Sequence, residues 1–293
     1  MFEKVNPSHP DKVADRIAGA IVDLAYRTTN NDIFNTHVAV EVLLGHGYCF
    51  ITSESNVIDL DDCKAIKDIV HRIVGTNKIE IYFNAQPQDK LLSNNQINNI
   101  RCGDNGIFKG VPINREEYLL TKLMQSIYEQ HPSDGKAILD NKNKKLIICQ
   151  SNIKDNKDLL KEVIRFKKRY FRHHDIDINP IGQWSGGINV DSGATNRKLG
   201  SDMARAVTGG GLHGKDISKA DVAINIICHD YANTIKENVI AVCAIGDRFI
   251  DFRCEKDNTF LGEFDYQLLA KRAFEIIQSI GGFEKFAEWG LVR

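Results

Sequence analysis

Residues able to do chemistry crowd into a few short stretches of this chain. In "PSHPDKVADRIAGAIVDLAY", His9, Asp11, Lys12, Asp15 and Arg16 stand in the mouth of an apolar helix. Ser8 as a cap, Pro10 in the first turn and Asp11 at the positive end of the helix dipole are ordinary N-terminal features. His9 and Lys12 are not, because positive groups there oppose the dipole unless cation and helix end share one anionic target. The same pairing of a cation with glycines or a helix start recurs at Lys136 in "SDGK", Arg197 and Lys198 in "TNRK", and Lys215 and Lys219 in "GGGLHGKDISK". In such places backbone N–H groups and side-chain charge converge on phosphate oxygens. Carboxylates accompany them at Asp11, Asp104 in "CGDNG", Asp191 in "VDSG" and Asp221 in "SKAD". Cations with scattered carboxylates suit a polyphosphate carrying Mg²⁺, which takes one or two carboxylates, waters and phosphate oxygens. Taken singly, each stretch has a plainer reading: the glycine run lacks the order of a P-loop or dinucleotide fingerprint, and isolated basic residues are surface charge. Their conjunction points to a polyphosphate.

The elements that must position these residues follow a repeating order. Apolar positions 13, 14, 17, 18, 21, 24 and 25 have helical spacing over residues 10–27. "THVAVEVLLGHGYCFITSES" then predicts two strands joined at Gly45–Gly47, residues 59–74 a helix, and "KIEIYFNA" a strand. The order recurs from "REEYLLTKLMQSIYEQ", through a hairpin with "NKNK" at its tip, to a helix and the short strand "DIDINP". It begins again at "SKADVAINIICHDYANTIK", with a hairpin turning at Gly246–Asp247 and a helix over "EFDYQLLAKRAFEIIQSI". Three α-β-β-α repeats predict an α+β fold about a pseudo-threefold axis, with the helical layers packed together and the sheets elsewhere. Two linkers stand apart. "NAQPQDKLLSNNQINNIRCGDNGIFKGVP" is amide-rich and aperiodic, as mobile functional loops are. The stretch from Asn179 to Asp221, dense in glycine and charge, reads as a ligand cradle.

Composition narrows the partners. In 293 residues, 38 basic and 39 acidic side chains nearly cancel, so overall charge predicts neither nucleic acid nor membrane as a partner. The seven cysteines form no C-x-x-C pair, and several lie in apolar runs, which predicts reduced thiols in a cytoplasmic protein. No signal peptide or membrane-length apolar run is expected. The basic run "KKRYFRHHD", with His173 and His174, reads as a solvated helix end, and His37, His46 and His71 have no partners at ligand spacing.

In register along nearly the whole chain, these motifs resemble the methionine adenosyltransferase (S-adenosylmethionine synthetase) family. "HPDK" with the following "AD", Glu41 and Glu54 on the first hairpin, "GDNG" for G-D-Q-G and "SDGK" for P-D-x-K all match. So do "VDSGATNRK" for G-D-x-G-L-T-G-R-K and "GGGLHGKDISKAD" for G-G-G-A-F-S-G-K-D-x-x-K-V-D. The resemblance implies transfer of the adenosyl group of ATP to the sulfur of L-methionine, with hydrolysis of the tripolyphosphate to pyrophosphate and phosphate. It implies a catalytic set of His9, Lys12, Lys136, Arg197 and Lys215, with Lys198, Lys219 and the ring of Trp184 also on ATP. Glu54, Gln86, Asp104, Asp191 and Lys219 would bind methionine. Asp11, Asp221 and Glu3 would hold two Mg²⁺ ions, and Glu41 one K⁺. By the same resemblance, residues 1–100 form a first repeat with a gating loop, 101–180 a trimmed second repeat, and 181–293 the glycine-rich phosphate loop with the third. A homodimer or dimer of dimers with shared active sites is implied.

Several positions depart from the family pattern. Its G-R-F reads Gly182-Gln183-Trp184, its S-G-K reads His213-Gly214-Lys215, and "RKLGSDMARA" replaces R-K-I-I-V-D-T-Y-G-G. A tripolyphosphatase and a non-catalytic regulatory homologue on the same scaffold are the alternatives.

Overall fold

The computed structural model describes residues 1–95, 106–206, 210–244 and 246–292. The chain opens with strand β1 (Phe2–Val5) and helix α1 (Pro10–Thr28). Val13, Ala14, Ile17, Ala18, Ile21 and Ala25 are buried along one side of α1, as their spacing requires. After it come hairpin β2 (Val38–Gly45) and β3 (Tyr48–Ser55), α2 (Cys63–Val74), β4 (Glu80–Gln86), α3 (Lys90–Asn95) and β5 (Gly106–Gly110). Gly45 pairs with Tyr48, so the loop is His46–Gly47, whose φ of 51° and 86° give the doubly left-handed turn that suits strand twist. The second unit is α4 (Arg115–Gln130), β6 (Gly135–Asp140), β7 (Lys145–Gln150), α5 (Lys157–Tyr170) and β8 (Asp175–Ile178). Short β9 (Ser192–Ala194) and α6 (Leu199–Asp202) lead to the third: α7 (Ala220–Ile235), β10 (Val239–Cys243), β11 (Phe249–Cys254), β12 (Phe260–Asp265), α8 (Tyr266–Ile280) and α9 (Phe283–Trp289).

Among the described residues the strands form three sheets of four, ordered β1-β6-β7-β8, β9-β2-β3-β4 and β5-β10-β11-β12. Each is a hairpin flanked by two outer strands. One outer strand comes from elsewhere in the chain: β1, which precedes the first unit, joins the second unit's sheet; β5, preceding the second, joins the third; β9, preceding the third, joins the first. The exchange is cyclic, so the threefold relation is written into the hydrogen bonding as well as the element order. It also interlocks the units, and it brings β9 to the edge of β2 with the cation-rich residues that follow.

The structure corrects the sequence reading at three points. Strands β1, β5 and β9 were not foreseen, and β5 ends a linker read as aperiodic. In the third unit "EFD" belongs to β12, antiparallel to β11, and α8 starts at Tyr266, capped by Asp265. The helical layers do not merge into one: the first and third units share a core that includes Ile17, Ile21, Ile224, Phe252 and Phe286, whereas the second has its own around Leu123, Leu146 and Val163.

Close backbone packing between units makes one glycine decisive. A Cβ on Gly110, in β5, would lie 1.9 Å from the Cys228 carbonyl oxygen of α7. Gly110→Ala should lower stability by about 2 kcal/mol in urea unfolding. Gly200→Ala, whose Cβ meets nothing within 4 Å, should stay within about 0.5 kcal/mol.

Candidate active site

A cavity of about 260 Å³ lies where the start of α1 meets the second unit's sheet, lined by His9, Asp134, Lys136, Cys149, Trp184 and Asp191 among others. His9 is the N-cap of α1. Its Nδ1 accepts the Asp11 amide at 3.2 Å, so a neutral imidazole must carry its proton on Nε2. Burial and the Lys198 charge push its pKa down to about 4, against the opposing pull of Asp11 and Asp191. At neutral pH His9 is therefore an uncharged N–H donor. Asp134 accepts the Gly187 amide at 3.1 Å, and burial pushes its carboxyl up to about 6 despite that bond. Trp184 donates from Nε1 to Asn179 Oδ1 at 3.2 Å and packs over Gly186, where a Cβ would meet the ring at 2.6 Å.

A second cavity, of about 340 Å³, has Glu3, Lys4, Arg197, Lys198 and Arg205 in its lining, and Asp11 pairs with two of these cations. Its carboxylate receives the Ala194 amide at 2.9 Å and Lys198 Nζ at 2.8 Å, with Arg197 at 3.9 Å. Burial raises the carboxyl pKa, but the Lys198 and Ala194 bonds more than offset it, leaving Asp11 below the usual range. The strand exchange explains this geometry: β9 lies along β2, and its Ala194 amide meets α1.

Lys12 departs from its expected place against a triphosphate. Its Nζ bonds Asp202 Oδ2 at 2.6 Å and stands 3.4 Å from Asp15 Oδ2, with the side chains of all three residues at most 1% exposed. The physical reason is helical: positions 12 and 15 share a face of α1, and that face looks into the protein. His213 Nε2 reaches the same Asp202 oxygen at 3.0 Å. Burial opposes ionisation of both carboxyls; Lys12 and His213 hold Asp202 below its usual range, whereas Asp15 is raised. Among the described residues, Asp15, Asp202 and His213 are the ligand-type group whose atoms lie within 4.8 Å of one another, and the Lys12 ammonium already sits among them.

The glycine-rich segment folds back on the first hairpin. Gly214 and Asp216 pair with Val40 and Val38 along β2, and Lys215 lies opposite Ala39. Lys215 Nζ bonds Asp221 Oδ2 at 2.6 Å. Gly210, at φ 76°, passes so close to Asp221 that a Cβ would sit 2.1 Å from its carboxyl carbon. Asn196 staples the loop: its side chain accepts the Leu212 and His213 amides at 2.8 Å each and donates to the His213 carbonyl, while its own amide meets Asp15. It does so at φ 63°, a left-handed position where asparagine replaces the glycine of the resembled motif at little cost. Lys219 is the N-cap residue of α7.

Other expected residues lie apart. Glu54 and Gln86 are neighbours on β3 and β4, on an exposed sheet face outside the His9 cavity. Glu41 faces the same way, accepting from Thr195 Oγ1, in a groove with Leu43, Phe50 and Tyr82. Glu3, Asp11 and Asp221 do not form one carboxylate cluster among the described residues. Asp104, and Gln96 at the end of the expected gating loop "QPQDKLLSNNQ", lie outside the described residues. Asp134, Asn196, Asp202 and His213 were not singled out from sequence as site residues; "SDGK" was the one signal available, for Asp134.

No helix among the described residues is long and apolar enough to cross a membrane. Residues 1–96 match the family described as S-adenosylmethionine synthetase, N-terminal domain. The S-adenosylmethionine synthase of Mycoplasma capricolum is 27% identical over 285 residues, covering 80% of this chain and 72% of the relative. That of Thermus thermophilus is 25% identical over 301 residues, covering 82% and 74%. The solved structure of an unusual S-adenosylmethionine synthetase from Campylobacter jejuni superposes with a TM-score of 0.69 at 18% identity, covering 99% of this chain and 94% of that one, so the α+β fold is shared. The motifs, the repeat and these likenesses agree: the chain resembles the S-adenosylmethionine synthetases along most of its length, as a divergent relative of them.

Proposed function

We propose that this chain transfers the adenosyl group of ATP to the sulfur of L-methionine. The observation that carries the reading is the convergence of His9, Lys136, Trp184 and Asp191 on one cavity, with Asp11, two residues after His9, paired to Lys198 at 2.8 Å and to Arg197 at 3.9 Å. A thioether is a neutral nucleophile with no proton to lose, so no general base is required. The sulfur lone pair forms the bond to C5′ as the C5′–O bond breaks, and tripolyphosphate leaves with the electron pair. The barrier lies in alignment and in charge gathering on the departing oxygen. Neutral His9, with its proton on Nε2, supplies a donor to that oxygen; Lys136 neutralises the phosphate beside it. Trp184 takes the adenine face, and Asp191 takes methionine's ammonium.

Asp11 and Asp221 fit Mg²⁺ by their chemistry, since each carboxylate is now held by a cation assigned to phosphate, Lys198 and Lys215 respectively. When polyphosphate binds, the lysines move to it and the carboxylates become free to hold metal. Held there, Mg²⁺ would supply charge neutralisation, Glu3 would be a further ligand for a second ion, and Glu41 would hold K⁺. Glu54 and Gln86 reach methionine only when a second copy covers their sheet face, where Tyr48, Phe50 and Tyr82 stack in the open at 5.0–6.3 Å. Their separation from the cavity in one chain also favours a second reading, a tripolyphosphatase that does not use methionine.

Incubation with ATP, Mg²⁺, K⁺ and methionine should yield the sulfonium product, detected by mass spectrometry. Phosphate release from tripolyphosphate without that product would favour the second reading. His9→Ala should lower turnover by about 10²–10³-fold while ATP still binds; normal turnover would contradict the donor role.

The pKa of His9 adds a stability prediction. The unfolded imidazole takes its proton near pH 6.5 and the folded one only near 4, so its contribution is present above pH 6.5 and is lost as pH falls between them. Asp134, raised to about 6, works in the opposite direction over much of that range. The difference in melting temperature between wild type and His9→Asn should therefore shrink as pH falls from about 7 to 4.5. A constant difference would show that His9 titrates normally.

A further inference from the structure

The buried knot around Asp202 has no part in the transfer step, yet it touches α1, α6 and the loop bearing Lys215. One oxygen, Asp202 Oδ2, receives both Lys12 Nζ at 2.6 Å and His213 Nε2 at 3.0 Å. A carboxylate only accepts, so His213 must hold its proton on Nε2. Lys12 follows Asp11 on α1. Asp202 lies in α6, directly beyond Arg197 and Lys198, and its carbonyl accepts the Leu291 amide at 2.6 Å. His213 precedes Lys215 by one glycine and packs against Phe286 at 5.3 Å. Asp15, on the far side of Lys12, accepts the amide of Asn196, whose side chain clasps the same loop.

We propose that His213 is a positioning residue for the phosphate site: through Asp202 it fixes the loop bearing Lys215 against the end of α1 bearing His9 and Asp11. This rests on reading those residues as a phosphate site. Where the resembled motif has serine, this chain has an imidazole long enough to reach a carboxylate under the loop. The hydrogen bond ends on a charged, water-excluded acceptor, the class in which loss is costly. Without it Asp202 keeps Lys12, so the fold has its ion pair, but the loop loses its direct polar tie to α6 and keeps only the clasp through Asn196. Lys12 is likewise a positioning residue, the fixed cation of the knot.

The test separates the polar tie from the space the ring fills. His213→Gln retains a donor of similar reach, and His213→Met fills similar volume without one. Binding of ATP with Mg²⁺, and no methionine, is measured by calorimetry on the full chain beside thermal melting of each variant. His213→Gln should bind within about threefold of wild type, and His213→Met about tenfold or more weaker with melting little changed. Equal affinity of the two variants would overturn the proposal, because the ring would then serve only as filling. Should His213→Met not fold, His213→Gln decides alone: a folded variant with a loss of about tenfold overturns it, and retained affinity supports it. Wild-type protein that binds Mg-ATP but makes no sulfonium contradicts the transfer reaction and leaves this comparison standing. Wild-type protein that binds no Mg-ATP removes both.

Discussion

A pocket built for a polyanion must hold its cations close together while no anion is present. Two unit charges 4 Å apart repel by about 4 kcal/mol at the effective dielectric of a protein surface, and burial makes this worse. In the proposed phosphate site three of the cations are each given a carboxylate: Lys198 has Asp11, Lys215 has Asp221, and Lys12 has Asp202 and Asp15. The first two pairs are partly open to solvent, with lysine exposures of 25% and 21%, and can exchange partners. The third is sealed. That difference divides the basic residues into those that can meet a ligand and one that cannot.

The fold provides for both kinds. Because β9 crosses from the third unit to the edge of β2, its Ala194 amide anchors Asp11, and Arg197 and Lys198 follow within a turn. The glycine segment then pairs along the same edge and brings Lys215 to Asp221. Three parts of the chain far apart in sequence thereby share one edge strand, with α1 beneath them. The cyclic strand exchange is thus the means by which the units hold the site together.

Much of this was legible before any coordinates. Helical spacing located α1; the conjunction of cations with glycines singled out His9, Lys136 and Asp191, the family resemblance added Trp184, and the four line one cavity. What escaped was non-local. Strands β1, β5 and β9, of at most five residues, carry too little periodicity to announce themselves, and their partners lie far along the chain. The motif around Lys12 shows that a lysine is there, not which way it points. Its i,i+3 relation to Asp15 on the apolar helix was the available sign that it faces inward. His213 carried no sign of its role, because the partner that defines it lies in α6.

The proposed reaction requires the carboxylates of Asp11 and Asp221 to release Lys198 and Lys215 when a polyphosphate arrives. A crystal structure with Mg²⁺ and a non-hydrolysable ATP analogue tests it most directly. The ammonium groups of Lys198 and Lys215 should be found on phosphate oxygens, with Asp11 and Asp221 turned to metal, while Lys12 remains on Asp202. Both open pairs intact, with the nucleotide bound elsewhere, would contradict it.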